Sequence, residues 1–190
     1  YLYHLNEFIP GGEKNTVMKI RGSRDVRGIL NKIEPQMYFT KEENKRGQDF
    51  LDEIGLKKTD RFVCLIVRDD SYKEQVQSWH NKDWSYHSYR NSDINIYQDA
   101  LYALAKKGYW CIRMGKAVKT PCTTNHPRII DYAVSKYRSD FLDMWLMSKC
   151  FLTVSTGTGL DEVSRIFRKP IVFVNFIPLL HLASYLSLIH

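Results

Sequence analysis

The sequence has no apolar run long enough to span a membrane as a helix, and it has few cysteines. The most apolar stretch, 176–189, is about fourteen residues long and contains His181, whereas a spanning helix needs about 20 residues. We expect this stretch to pack in a protein core, with contact at a membrane surface as the alternative. The four cysteines form no CxxC motif and no Cys/His cluster, so we expect reduced core residues of a cytoplasmic protein.

The short signatures of several enzyme classes are also absent. There is no GxSxG nucleophile elbow, no Walker lysine loop and no HExxH zinc motif. Residues 157–162 (GTGLDE) echo the GxGxxG dinucleotide fingerprint, but the third glycine is missing and the following strand pattern ends in Asn175, not in an acidic residue. We therefore expect no dinucleotide cofactor. Asp69 and Asp70 lack nearby acidic or histidine partners, so we interpret them as loop or helix caps and expect no metal site.

The charge balance is positive, with 28 lysines and arginines against 21 aspartates and glutamates and a pI near 9.2. Such a chain attracts anions, but nucleic acid, a nucleotide, a phosphorylated sugar and an anionic membrane satisfy this equally. Aromatic residues cluster in 71–90 and do not alternate with basic residues along a face, which disfavours nucleic acid. His80, His87 and His126 are more typical of loop positions than of acid/base groups.

Helix and strand patterns alternate along the chain. Thr40 and Glu43 have the spacing of a capping box and Gly55 ends the pattern, which predicts a helix over 41–54. Apolar, β-rich runs predict strands, and the segments between them predict helices. The predicted strands are 62–67, 109–112, 129–132, 151–154 and 171–174, and the other predicted helices are 94–107, 139–147 and 160–167, with Ser92 or Asp93 and Ser139 or Asp140 as caps.

This alternation predicts an α/β fold with a Rossmann-like, mostly parallel sheet flanked by helices. We expect 1–39 to be a lead-in with a basic, helix-compatible second half, and 40–190 to be the Rossmann-like domain. Residues 71–90 show no helix or strand period and are expected to form an aromatic, polar loop at the carboxyl edge of the sheet. The chain starts at Tyr1 without Met and stops at His190 inside an apolar run, so we expect a fragment of a longer protein.

Residue types suited to an anion follow three predicted strands. In a parallel α/β sheet, ligands bind beyond the carboxyl ends of the strands. Glycines let the backbone approach a ligand, hydroxyls form hydrogen bonds, and free amides at a helix start attract negative charge. We predict a phosphate site made of Arg68, Arg113, Lys116, Ser155, Thr156, Gly157, Thr158 and Gly159. Two alternatives stay open: each arginine in a salt bridge with Asp69, Asp70 or Asp131, and the glycine turn as a simple helix cap.

Seven motifs together resemble a family of bacterial glycosyltransferases associated with surface-polysaccharide synthesis. They are VRDDSY (67–72), DWSYHSYRNSDI (83–94), GYWCIRMGK (108–116), IIDYA (129–133), RSDFLDMWL (138–146), STGTGLDEV (155–163) and KPIVFVN (169–175). The resemblance covers about 36–180 and implies the carboxyl-terminal, donor-binding half of the two-domain GT-B fold. Thr158, Gly159 and Pro170 are also spaced as in the phosphate-binding turn of heptosyltransferases, although Glu162 stands where those enzymes have histidine.

The resemblance implies transfer of a sugar from a nucleotide-diphosphate donor to a glycan or lipid-linked acceptor, with no metal and no bound cofactor. The predicted phosphate site would stabilise the leaving diphosphate, and the general base would come from the other half of the enzyme, so this chain alone would be inactive. The resemblance also implies that the protein lies in the cytoplasm, with peripheral contact to the anionic inner face of the membrane. Candidate ribose, base or sugar contacts are Glu162, Asp131, Tyr132, Tyr89 and Arg90. The alternative is a non-catalytic, Rossmann-like module that binds a nucleotide or another anion.

Overall fold

The computed structural model describes residues 8–12, 32–76 and 85–177. Contacts divide the chain into one unit of Tyr1–Ile29 with Pro178–His190, in which 8–12 form a turn, and a second unit of Leu30–Ile177. All helices and strands below lie in the second unit. The predicted basic helix of the lead-in, the aromatic residues Trp79 and Trp84, His80, and the apolar stretch beyond residue 177 lie outside the described residues.

Five parallel strands form one sheet, which confirms the predicted α/β, Rossmann-like class. The strands are β1 Phe62–Ile66, β2 Trp110–Met114, β3 Ile129–Ile130, β4 Leu152–Ser155 and β5 Ile171–Phe173. Their order across the sheet is β3-β2-β1-β4-β5. The chain therefore adds β2 and then β3 on one side of β1, and afterwards adds β4 and then β5 on the other side. The reversal lies between β1 and β4, and such a switch point is where open parallel sheets place their ligand crevice.

Helices cover both faces of the sheet, which is why every residue of β1 and β2 is buried. The α-helices are α1 Lys41–Glu53, α2 Ser71–Val76, α3 Gln98–Lys106, α4 Asp140–Lys149 and α5 Asp161–Ile166. Short 3-10 helices span Ser85–Arg90, Ile94–Tyr97 and Tyr132–Val134. Buried residues of α1, α4 and α5 pack on one face with Cys64, Ile66 and Ile112, and those of α3 pack on the other with Leu65 and Cys111. None of the described helices has the combination of length and apolar character that crossing a membrane requires.

Local capping signals in the sequence predicted the helix starts correctly. The Thr40 amide donates to Glu43 Oε2 at 2.8 Å, and the Glu43 amide donates to Thr40 Oγ1 at 3.2 Å, which completes the capping box of α1. Of the two candidate pairs, Asp93 caps the 3-10 helix before α3 and Ser139 caps α4. Cys64, Cys111 and Cys150 are fully buried, which confirms the prediction of core cysteines for these three, whereas Cys122 is half-buried.

Two element boundaries differ from the sequence prediction in ways that affect the site. Strand β2 continues to Met114, so Arg113 lies inside the strand, paired in register with Leu65 of β1. A charged residue can continue a buried strand here because Asp131 neutralises it. Ser71–Val76 is helical, although 71–90 had no helix period. Asp69 explains this start, since its Oδ1 accepts the Ser71 amide at 3.0 Å, which confirms the interpretation of Asp69 as a cap.

Candidate functional site

A cavity of about 580 Å³ lies at the carboxyl edge of the sheet, at the switch point between β1 and β4. Four segments line it: Ile66–Asp69 with Tyr72 and Lys73, from the last residue of β1 onward; 114–118, from the last residue of β2 onward; residues between Arg138 and Met144, around the start of α4; and Thr158–Leu160 with Val163, after β4. Of the predicted phosphate site, Arg68, Lys116, Thr158 and Gly159 therefore meet at one cavity. From the sequence, these residues could be assigned to one site only because the carboxyl ends of parallel strands are expected to lie at the same edge of a sheet.

Arg68 lies where the ends of β1 and β4 are joined. Its amide donates to Thr156 Oγ1 at 2.8 Å, and the Thr156 amide donates to the Ile66 carbonyl at 3.1 Å. Thr156 is only 1% exposed, so its hydroxyl holds the two strand ends together and does not face a ligand. None of the ion pairs found within the described ranges involves Arg68, whose side chain is half-buried. The side chain of Arg68 lines the cavity.

Three basic residues form a cationic cluster beside this switch point: Arg68, Lys73 and Arg90. Burial lowers the pKa of Arg68, and the charge of Arg90 lowers it further, while Asp70 opposes both. Burial, followed by the charge of Arg68, likewise lowers the pKa of Lys73, and the charge of Asp70 again has the opposite effect. Arg90 approaches the turn after β4, where its Nη2 donates to the Gly157 carbonyl at 3.2 Å. Like charges held together in partly buried positions repel one another, and a bound anion would relieve that repulsion.

The turn after β4 uses several of its own amides, which corrects the prediction that they are free for a ligand. The Gly157 amide donates to Ser155 Oγ at 3.0 Å, and the Thr158 amide donates to Asp161 Oδ2 at 2.8 Å. Ser155 Oγ in turn donates to the same Asp161 oxygen at 2.6 Å. Ser155 and Gly157 are therefore structural: their bonds hold the turn itself, while Leu160, the cap residue of α5, makes no side-chain cap bond. A Cβ added at Gly159 would meet no atom within 4 Å, so only the second half of the turn is open toward the cavity.

Asp161 was missed as a site residue, although Thr158 and Asp161 have the spacing of a helix-capping pair. The carboxylate is 3% exposed and receives the bonds of Ser155 and Thr158. Burial raises the pKa of Asp161 above its ordinary value of 3.8, against the lowering effect of those bonds. Because Asp161 holds the Thr158 amide and the Ser155 hydroxyl, it fixes the turn whose Gly157 carbonyl contacts Arg90.

The pKa of Asp161 leads to a pH-dependent prediction for the Asp161→Asn variant. A carboxyl with a raised pKa in the folded state favours folding when protonated, and this contribution is lost as the pH rises through the folded-state pKa. An asparagine oxygen can accept the same two hydrogen bonds without a charge. We therefore expect the free energy of unfolding of Asp161→Asn to rise relative to wild type between about pH 3 and about pH 7. Urea titrations across this range measure the difference, with exposed Asp49→Asn as control; a difference that is flat or falls would contradict the prediction.

Arg113 does not reach the cavity, contrary to the sequence prediction. It is 2% exposed, and its Nη1 lies 3.2 and 3.3 Å from the two carboxylate oxygens of Asp131. Side chains alternate between the faces of a strand, so Met114 lines the large cavity while Arg113 points to the opposite face. There Arg113 lines a smaller, polar cavity of about 340 Å³. The salt-bridge alternative therefore describes Arg113, and Asp131 is its partner and not a ligand contact.

The other candidate contacts are divided between the core and the surface. Tyr132 is fully buried, and its hydroxyl donates to the Ser139 carbonyl at 3.1 Å, so it is a core residue and not a base or sugar contact. Glu162 is exposed and ion-paired with Arg165. Tyr89 is 55% exposed, and neither Tyr89 nor Arg90 lines the large cavity, although the charges of both act on Arg68.

Lys116 lines the cavity on the side of β2 and α4, within a network of ion pairs. Its Nζ lies 3.2 Å from Asp140 Oδ2, and Arg138 pairs with both Asp140 and Asp143. Burial raises the pKa of Asp143, and the charge of Arg138 opposes that effect. Lys116 therefore belongs to the cavity but not to the cationic cluster, a separation that the sequence did not indicate.

Within residues 8–12, 32–76 and 85–177, no group of three or more His, Cys, Asp or Glu side chains is arranged to hold a metal ion. Comparisons of the chain with family models, with curated proteins and with solved structures found no match.

Proposed function

We propose that the cavity binds the diphosphate of a nucleotide-sugar donor, and that the chain is the donor-binding half of a glycosyltransferase of surface-polysaccharide synthesis. The observation that carries the proposal is the cationic cluster at the switch point between β1 and β4. Arginine and lysine are the side chains that bind phosphate oxygens most strongly. The motif resemblance supports the same ligand class.

In the proposed reaction, a hydroxyl of a glycan or lipid-linked acceptor attacks the anomeric carbon of the donor sugar. The bond between that carbon and the phosphate oxygen breaks, and its electron pair leaves with the diphosphate. The proton of the acceptor hydroxyl passes to a base outside the described site. Arg68 and Lys73, which line the cavity, would stabilise the charge that grows on the leaving diphosphate. We propose that these cations replace a divalent ion and that the reaction takes place in the cytoplasm, at the inner face of the membrane.

Isothermal titration calorimetry with nucleoside diphosphates, the corresponding nucleotide sugars and free nucleosides tests the proposal. We expect the diphosphates and nucleotide sugars to bind, free nucleosides to bind far more weakly, and affinity to fall as salt screens the cationic cluster. Chelator should leave these affinities unchanged. Absence of diphosphate binding, or binding only when a divalent ion is present, would contradict the proposal.

A further inference from the structure

The smaller cavity, on the Arg113 side of β2, differs in its chemistry from the large one. It measures about 340 Å³, and it shares only Val67 and Asp69 with the wall of the large cavity. Because Asp131 already pairs with Arg113, carboxylates outnumber the remaining cation in its lining. A phosphate would be repelled there. The polar residues of the lining are Asp69, Asp70, Asn91, Ser92, Asp93, Arg113, Lys119 and Thr120.

Two residues of this lining hold buried polar atoms that have no hydrogen-bond partner among the residues that the structure describes. One is Nε of Arg113, whose side chain is 2% exposed, and the other is Oδ1 of Asn91. Asp131 holds the guanidinium in place, and Asn91 is held because its Nδ2 donates to Asp70 Oδ2. A buried donor or acceptor without a partner is unfavourable, so a ligand that pairs with both atoms gains stability.

The kinds of these two atoms restrict the ligand. Arg113 Nε donates a hydrogen bond, and Asn91 Oδ1 accepts one. A phosphate or carboxylate oxygen only accepts and an ammonium group only donates, so neither serves both atoms. A hydroxyl group both donates and accepts.

Two carboxylates of the same lining indicate a ligand with several hydroxyls. Asp70 Oδ2 accepts from Asn91, and Asp93 Oδ1 accepts the Asn95 amide at 2.9 Å. A carboxylate has two oxygens with about four acceptor sites, so both aspartates can accept further hydrogen bonds. A secondary amide of a ligand offers one donor and one acceptor, whereas a sugar ring offers hydroxyls in several directions. The lining therefore favours a sugar over a single amide.

We infer that the smaller cavity is a carbohydrate site that takes one neutral sugar through its hydroxyl groups. Arg113 Nε donates to the sugar, and Asn91 Oδ1 accepts from it, together with the carboxylates of Asp70 and Asp93. This inference does not depend on the proposed function, because the cavity lies on the opposite face of β2 from the large cavity and its ligand carries no phosphate.

Saturation-transfer difference NMR on the wild-type chain tests the site with five neutral compounds: glucose, galactose, N-acetylglucosamine, rhamnose and myo-inositol. We expect at least one to bind with a dissociation constant of about 1 mM or tighter. Inorganic phosphate, putrescine and N-methylacetamide, added at the concentration of that compound, should not displace it. Displacement by one of them would assign the cavity to an anion, a cation or an amide, and failure of all five compounds to bind would equally overturn the inference.

Two variants locate the bound sugar. Thr120 is exposed at the rim of the cavity, and the larger ring of Thr120→Phe should block it and weaken sugar binding about tenfold or more. Asn91→Leu removes the acceptor Oδ1 and should weaken binding about fivefold or more. Thr59→Phe, at an exposed position outside the cavity, is the matched control and should leave binding unchanged. Equal losses in Thr59→Phe and Thr120→Phe would contradict the assignment to this cavity.

Arg68→Ala distinguishes this site from the large cavity. Arg68 lines the large cavity and not the smaller one, so the variant should bind the sugar as tightly as wild type. A sugar whose affinity falls in Arg68→Ala but not in Thr120→Phe would lie in the large cavity, and the inference would fail. Sugar binding that persists when nucleoside diphosphates do not bind would leave the inference intact and reject only the proposed function.

Discussion

Replacing Arg68 with alanine is expected to weaken binding of a nucleoside diphosphate by about 10- to 100-fold. A hydrogen bond to a charged group contributes about 1.5–3 kcal/mol, and about 1.4 kcal/mol corresponds to a factor of ten in affinity. Arg68 is half-buried in the cavity wall, so water screens its charge less than that of a surface arginine. Calorimetry of wild type and variant at the same ionic strength measures the loss.

A matched control tests whether the position of Arg68, and not only the loss of one positive charge, determines the affinity for a diphosphate. Arg61 precedes β1 at the opposite end of the strand, with its guanidinium 4.8 Å from the centre of the Phe151 ring. Arg61→Ala changes the net charge equally but should leave diphosphate affinity within about twofold of wild type. An equal loss in both variants would show that only net charge matters.

Gly159→Val should also reduce affinity without lowering the melting temperature, because the added side chain enters open space beside the cavity.

The largest effect on stability is expected from Gly47→Ala in helix α1. A Cβ at Gly47 would lie 2.1 Å from Cδ2 of Trp145, an atom of a rigid ring that is itself 3% exposed. Overpacking of a core costs about 1–3 kcal/mol or more, and at this distance we expect the upper part of that range. The better helix propensity of alanine returns only about 1 kcal/mol. Because domains are stable by only about 5–15 kcal/mol, the melting temperature should fall by several degrees, which differential scanning calorimetry measures.

Two further variants test whether the contact with Trp145 is the cause. Lys45→Ala, at an exposed position of the same helix, should change stability little. In the Gly47→Ala/Trp145→Leu double variant, the smaller side chain makes room for the new methyl group. The double variant should therefore lose less stability than the sum of the two single losses. Additive losses would show that the contact with Trp145 is not the cause of the loss, and a Gly47→Ala variant as stable as wild type would show that α1 and α4 can shift apart at no cost.

The elements that the sequence predicted correctly are those whose signals act over a few residues. Thr40 and Glu43 satisfy each other's amides within one turn, and Ser139 does the same for the Leu142 amide. The continuous apolar run of β1 indicated a strand covered on both faces, which is how it lies. The site was predicted in part, because parallel strands end at one edge whatever their register, and this rule correctly placed Arg68, Lys116 and Gly159 at a common cavity.

The remaining site residues depend on contacts that no local pattern contains. The chain alone determined the order of helices and strands and the edge of the sheet where basic residues collect. Tertiary structure decided which of these residues face the cavity. Two extra residues in β2 place Arg113 on the far face with Asp131, and the folding of α5 against β4 brings Asp161 to the turn amides. The physical reason is that strand side chains alternate with a period of two, so register and strand length, fixed by long-range pairing, decide which side of the sheet a charge occupies.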